Sequence, residues 1–221
     1  GLLLEVAPSL RCFGGADALL AQLRQGLRVL GFSARIGAAP TPAAAWLFAR
    51  HRDGLEADEA RLEAALRWVR EHGDADGDGL LEYIDTSGHG LSNQGWKDSG
   101  DSVQWHDGTF AEVPIALAEV QGYAYEAAIS GAELLDYFDR PGGDEIRAWA
   151  ERLRRRFHET FWVDDQSGPY PAIALDAEKR PVDSLTSNIG HLLGTGILDR
   201  EQAGLVARRL VSPEMSSGYG L

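Results

Sequence analysis

The sequence predicts a mainly α-helical protein that begins with a small α/β piece. Stretches with apolar residues at spacings of three and four alternate with glycine-rich loops, which is the pattern of packed helices. The charge also changes along the chain: residues 1–52 hold six arginines against two carboxylates, a balance of +4, and the rest carries −17, for a net charge of −13. This change of sign divides the chain into an α/β piece over residues 1–54 and a helical part over residues 55–221.

The front piece is predicted to fold as two strands and two helices in alternation. These elements cover residues 2–6, 16–30, 33–38 and 42–50. The leucines of the first helix recur at helical spacing, and Gly31 ends it. The piece resembles part of the palm of Y-family translesion polymerases. Such palms use an Asp-Glu step to hold two magnesium ions, and Glu5 stands here without that step.

Five helices are predicted beyond the front piece, from apolar stripes and from glycines at their ends. They cover residues 57–72, 112–138, 144–161, 186–194 and 200–211. Pro114 falls in the first turn of the second of these helices, where proline is tolerated. A stripe of aromatic and aliphatic side chains on the third helix is predicted to face the core, and residues 170–175 are predicted to be extended.

The composition indicates the cellular compartment and the kinds of partner to expect. Cys12 is the one cysteine, so an intrachain disulfide is excluded, and a reducing cytoplasm is the expected location. No apolar run approaches the roughly 20 residues of a membrane span, so no membrane partner is expected. The acidic part should repel nucleic acid and suits a neutral substrate.

Residues 93–102 gather amide, aromatic, cationic and acidic side chains between glycines. They are predicted to form a loop that projects these groups, as functional loops do. The Trp96 ring offers a platform for a sugar, and it would raise the pKa of a nearby carboxyl by desolvation, as a general acid near neutral pH requires. Asp98 and Asp101 are the candidate catalytic carboxylates.

A second acidic loop follows the helix predicted over residues 57–72. Asp74, Asp76, Asp78, Gly79 and Asp85 occupy positions 1, 3, 5, 6 and 12 of a calcium-loop pattern. The usual glutamate at position 12 is replaced by aspartate, and no EF-hand helix pair is evident. The loop therefore has two interpretations, a structural calcium site or an Asp-Gly-rich turn.

Two runs carry a resemblance to a known family. GWKDSGDS (95–102) and AEVPIALAEVQGYAYEAA (111–128) resemble the central segment of the bacterial glycogen-debranching (amylo-α-1,6-glucosidase-like) glycosidases. DGDGLLEY, RFHETFW and SLTSNIGHLL match in the same order, so the resemblance covers about residues 55–221. It implies a partial (α/α)6 toroid of paired helices and an inverting glycoside hydrolase that acts on α-glucans or malto-oligosaccharides and requires no cofactor.

The resemblance also implies residue roles. In an inverting hydrolase one carboxylic acid protonates the leaving oxygen, while a second carboxylate about 6.5–9.5 Å away activates water. Asp98 matches the acid position, and Asp101 is the alternative. Six residues match substrate contacts: Gln94, Trp96, Lys97, Glu112, Glu119 and Gln121. The family's base lies beyond the segment that residues 212–220 resemble, so we expect weak hydrolysis at most from this chain alone.

Three functions follow from the sequence. The acidic part favours a glycoside hydrolase, the +4 front piece favours a DNA-repair accessory fragment, and their combination favours a chimera without activity, joined near residues 52–55. A partial toroid would also leave apolar helix faces exposed, which predicts self-association.

Overall fold

The computed structural model describes residues 13–32, 34, 36–37, 59–83, 101–216 and 218–219. The chain divides into two compact units, Gly1–Glu59 and Ala60–Leu221. In the first unit, helix α1 (Ala16–Val29) confirms the helix predicted over residues 16–30. Gly31 follows it with φ 77°, a left-handed value that suits glycine.

The structure contradicts part of a second prediction for the first unit, the strand over residues 33–38. Residues 34, 36 and 37 belong to no strand, so the strand predicted over residues 33–38 is wrong for them. Of these three residues only Ile36 favours a strand, because alanine and glycine are depleted in strands. The elements predicted over residues 2–6 and 42–50 lie outside the described residues.

The chain from residue 59 onward is mainly helical, with small antiparallel sheets. Its elements are α2 (Glu59–His72), β1 (Ala116–Leu117), α3 (Ala118–Tyr137), α4 (Gly143–Thr160), β2 (Trp162–Asp165), β3 (Gly168–Pro171), β4 (Ala174–Leu175), β5 (Pro181–Val182), a 3₁₀ helix (Ser187–Leu192) and α5 (Arg200–Leu210). Helices α2, α4 and α5 confirm three of the predicted helices. Across the described ranges, no helix has the length and apolar character needed to cross a membrane.

The core forms where α3 packs on α4 and on the 3₁₀ helix. The stripe predicted over residues 144–161 faces the core: Ile146, Leu153, Phe157 and Phe161 are all at most 4% exposed, and Trp149 is partly buried against the same core. The rings of Phe157 and Phe161 stack with centroids 4.6 Å apart. This apolar burial is the main stabilising contribution in the second unit.

The helix predicted over residues 112–138 begins six residues late, at Ala118. Ala116 and Leu117 form β1 instead, and they pair antiparallel with Leu175 and Ala174. Pro114 has no N–H to donate, and the apolar residues after it are buried within a sheet rather than along one helix face. Their burial therefore overrides the helical pattern.

The strands form two sheets, one in the order β1-β4-β5 and one formed by the hairpin β2-β3. The helix predicted over residues 186–194 is a 3₁₀ helix over Ser187–Leu192. Helix α5 begins with a capping box, in which Asp199 accepts the N–H of Gln202 at 2.8 Å and Gln202 accepts the N–H of Asp199 at 3.0 Å.

Candidate functional site

The segment predicted to carry the catalytic acid enters the described part of the chain at Asp101. Asp101 is exposed, and its carbonyl accepts a hydrogen bond from Gln104 Nε2 at 2.5 Å. The chain then turns, with Trp105 N donating to Thr109 O at 2.8 Å. The hydroxyl and the N–H of Thr109 donate to Asp107 Oδ1 at 2.7 and 2.9 Å, and these bonds hold the pKa of Asp107 below its ordinary value.

Several predicted site residues lie outside the described residues, namely Gln94, Trp96, Lys97, Asp98 and Asp85. Glu112 is described and exposed, and its carbonyl accepts the N–H of Ala177 at 2.9 Å. The roles assigned to these residues and to Asp101 stay predictions.

Glu119 and Gln121 lie in the first turn of α3, and both are buried. Glu119 is 3% exposed, and its Oε1 accepts a hydrogen bond from Asn188 Nδ2 at 3.1 Å. Gln121 is fully buried: it accepts from Leu81 N at 2.8 Å and donates to Leu81 O and Leu117 O at 2.8 and 3.0 Å. Both N–H groups of the Gln121 amide thus donate to main-chain carbonyls, and the side chain is closed to solvent in this structure.

The second acidic loop brings three of its four predicted metal ligands together. Oxygen atoms of Asp74, Asp76 and Asp78 lie within 4.8 Å of one another. Asp74 also shapes the loop, because its carboxylate accepts the N–H groups of Gly77 and Gly79 at 2.7 and 2.9 Å and that of Asp78 at 3.2 Å. The calcium site stays a prediction.

A lysine from the turn between β4 and β5 reaches this loop. Lys179 Nζ lies 2.8 Å from Asp76 Oδ2 and 3.3 Å from Asp78 Oδ2, and it also contacts Glu82 Oε1. Its bond to the carboxylate holds the pKa of Asp76 below the ordinary 3.8, although partial burial of Asp76 acts in the opposite direction. A metal ion at these oxygens would have to displace the ammonium.

A cavity of about 600 Å³ has His106 in its lining, four residues after the predicted catalytic segment. Five of its lining residues are ionisable, namely His106, Asp164, Asp165, Tyr170 and Asp183, and three are apolar, namely Val163, Pro181 and Leu185. Its volume lies within the range of about 300–1,000 Å³ that is usual for small-molecule sites.

His106 and Asp183 bond to each other in the lining of this cavity. His106 Nδ1 lies 2.6 Å from Asp183 Oδ2, and His106 N donates to Asp183 Oδ1 at 3.1 Å. The neighbouring Ser184 hydroxyl donates to Gln104 O at 2.5 Å. The side chain of Asp183 is 31% exposed, so its carboxylate remains accessible from the cavity.

The opposite part of the lining is fixed by Arg209, which is 4% exposed. Its guanidinium pairs with Asp165 and, at 2.6 Å, with Glu214, and it lies 4.6 Å from the centre of the Tyr170 ring. The bond from Arg209 holds the pKa of Asp165 below its ordinary value. Burial raises the pKa of Tyr170, so this phenol stays protonated and donates to Asp183 O at 2.8 Å.

Sequence reasoning missed His106, Asp183 and Lys179. His106 stands four residues after the predicted loop, in the run Trp-His-Asp-Gly-Thr, and this proximity was a usable signal. Asp183 is 77 positions further on, and no local spacing connects two residues so far apart. The same holds for Lys179 and the acidic loop.

None of the known protein-family models matches the chain, and no curated protein matches it.

Proposed function

We propose that this chain is a glycoside-hydrolase-type protein that binds α-glucans in the cavity lined by His106 and Asp183. The resemblance of residues 55–221 to debranching glycosidases gives the chemical class. The observation that carries the proposal is the cavity of about 600 Å³, whose lining contains three aspartates and His106, four residues after the segment predicted to hold the acid.

The lining suits a sugar because a glucose unit has hydroxyl groups at its edge and C–H groups on its faces. Carboxylate oxygens such as those of Asp164 and Asp183 accept hydrogen bonds from hydroxyl groups. Val163 and Leu185 are half-buried in the lining and supply apolar surface on which a ring face can pack. We therefore propose Asp183 as a hydrogen-bond acceptor for a substrate hydroxyl, held in place by His106.

The catalytic roles are proposed from the resemblance. Asp98 protonates the leaving glycosidic oxygen, with Asp101 as the alternative acid, and Trp96 stacks on a sugar ring. The finer architecture that we propose is part of an (α/α)6 toroid. It is supported by α3 and α4, which are joined by a short turn and pack against each other as a helical hairpin does.

Titration calorimetry with maltohexaose tests the proposal directly. We expect the wild-type chain to bind, and Asp183→Asn to lose about tenfold or more in affinity, because a hydrogen bond to a charged acceptor is worth about 1.5–3 kcal/mol. Glu133→Gln is the matched control, since Glu133 is exposed on α3 and does not line the cavity. Its affinity should equal that of the wild type.

Further measurements distinguish loss of the binding site from loss of folding, and glucan binding from DNA binding. Asp183 also anchors His106, so the melting temperature of Asp183→Asn is measured to show that the variant is folded. Equal maltohexaose affinity in Asp183→Asn and the wild type would refute the assigned site, and absence of binding to any glucan would refute the function. Binding to a DNA duplex instead would favour a DNA-repair role.

A further inference from the structure

In the acidic loop between α2 and Tyr83, some carboxylate oxygens accept main-chain hydrogen bonds and others are left for different partners. Asp74 is occupied by main-chain N–H groups, and Asp78 Oδ1 accepts the N–H of Leu80 at 2.9 Å. The second oxygens of Asp76 and Asp78 contact Lys179 Nζ instead, as does Oε1 of Glu82, whose side chain is 1% exposed. The side chain of Glu82 is buried and that of Asp78 half-buried, whereas that of Asp76 is exposed. Carboxylates that meet at one point repel one another unless a cation lies among them.

The cation present is the ammonium of Lys179. Its distances of 2.8 Å to Asp76 and 3.3 Å to Asp78 are those of N···O ion pairs, whereas calcium holds oxygens at about 2.3–2.6 Å. Arg156 adds a second, more distant positive charge 3.7 Å from Asp78. The loop therefore receives two positive charges from within the protein.

Asp176 holds the turn that presents Lys179. Asp176 has a fully buried side chain, and its Oδ1 accepts the N–H groups of Glu178 and Arg180 at 3.0 and 2.8 Å. Lys179 N donates to Asp176 O at 2.9 Å, and Lys179 has φ 62°. A residue with a Cβ rarely adopts this left-handed conformation, and glycine would relieve it. Lysine at this position is therefore explained by its side chain and not by its backbone.

The choice of lysine over arginine supports the same conclusion. Only two of the 21 basic residues in the chain are lysines, and one of them is Lys179. A compact ammonium presents three donors around one point and fits among several carboxylates, whereas a planar guanidinium favours one carboxylate side by side.

We propose that the Lys179 ammonium is the resident cation of the acidic loop and stands where a calcium loop holds its metal ion. It tethers the loop to the β4-β5 turn, so the wild-type loop is ordered without calcium. A divalent cation gains access only when the ammonium is removed. This proposal does not depend on the proposed glucan binding.

The first test compares Lys179→Gly with Asp139→Gly in EDTA. Asp139 is the other described residue with a side chain and positive φ, at 53°, and it is exposed after α3. Both changes relieve the same backbone conformation, but only the first removes the ammonium. We expect Lys179→Gly to lower the melting temperature by about 5–10 °C and Asp139→Gly to leave it unchanged or raise it. An increase in Lys179→Gly would overturn the proposal.

The second test asks what the vacated position binds. Calorimetry with calcium chloride at about 1 mM, the weak end of protein calcium sites, should show no binding by the wild-type chain. Lys179→Gly should bind one equivalent and recover part of its lost melting temperature. Tight calcium binding by the wild type, with no gain in Lys179→Gly, would contradict the proposal.

A third test holds even if Lys179→Gly folds only with calcium. Asp76→Asn retains the oxygen that accepts the N–H of Asp78 but removes the charge. In the wild type it should lower the melting temperature, because it weakens the ion pair. In Lys179→Met it should raise the melting temperature, because it relieves repulsion among carboxylates. The same sign in both backgrounds would refute Lys179 as the resident cation.

Discussion

Gln121 offers the sharpest separation between a structural role and a substrate-binding role. Its amide bonds to both main-chain groups of Leu81 and to Leu117 O, at 2.8–3.0 Å, in a fully buried position. Gln121→Leu keeps the approximate volume but leaves the N–H and the carbonyl of Leu81 without that partner. Each such buried group costs about 1–3 kcal/mol, so we expect a loss of about 2–6 kcal/mol in the free energy of unfolding.

Urea unfolding of Gln121→Leu, with Gln166→Leu as an exposed control in the β2-β3 turn, measures this loss. The expected loss is a large share of a typical total stability of about 5–15 kcal/mol. A loss below about 1 kcal/mol together with weaker maltohexaose binding would refute the structural role and favour the substrate contact predicted from the sequence.

Gln121→Glu adds a dependence on pH. Burial would raise the pKa of the new carboxyl in the folded protein above its unfolded value of about 4.3. The variant should therefore come closest to wild-type stability below that unfolded value and lose stability as pH rises through the folded pKa. A constant difference from the wild type between about pH 4 and pH 8 would contradict the burial of this side chain.

Three further predictions concern packing and charge. Phe157→Ala should lose about 3–5 kcal/mol of stability in urea unfolding, because the ring is completely buried. Gly131→Val should lose about 1–3 kcal/mol, since a Cβ at Gly131 would lie 2.6 Å from Leu66 Cδ2, and adding Leu66→Ala should restore part of the loss. The bond from Arg209 lowers the pKa of Asp165, so the stability that it contributes is present above the unfolded pKa of about 3.9 and is lost as pH falls through the lower folded pKa. The difference in melting temperature between the wild type and Arg209→Met should therefore shrink in acid.

The helices could be predicted where one face is buried and the other exposed, because this arrangement produces a local periodic pattern in the sequence. The stripe on α4 and the capping residues of α5 are local signals, and both helices end within one residue of the prediction. The start of α3 was not predictable in this way, because Ala116 and Leu117 pair with a strand nearly 60 residues later. Strands of two residues, such as β4 and β5, are too short to show a period of two.

The candidate site was predictable only in part for the same reason. The acidic loop and the segment after residue 93 are runs of neighbouring polar residues, and such runs are visible in the sequence. In the fold, Lys179 contacts the acidic loop, and Asp183 contacts His106, which follows the segment in sequence. These two residues lie on either side of β5. Tertiary packing brings these partners together, and no spacing pattern in the amino-acid sequence predicts such contacts between distant residues.

The β4-β5 hairpin therefore connects the two sites. Lys179 in its turn reaches the acidic loop, and Asp183 just after it reaches His106. Ala174 and Val182 pair across the hairpin and are completely buried, so the strands are held by the core and not by the turn. Removal of the ammonium in Lys179→Gly should loosen the turn while His106 and Asp183 stay in contact. Maltohexaose affinity should accordingly remain unchanged in Lys179→Gly, and a loss of affinity would mean that the turn, and not the buried strands, positions Asp183.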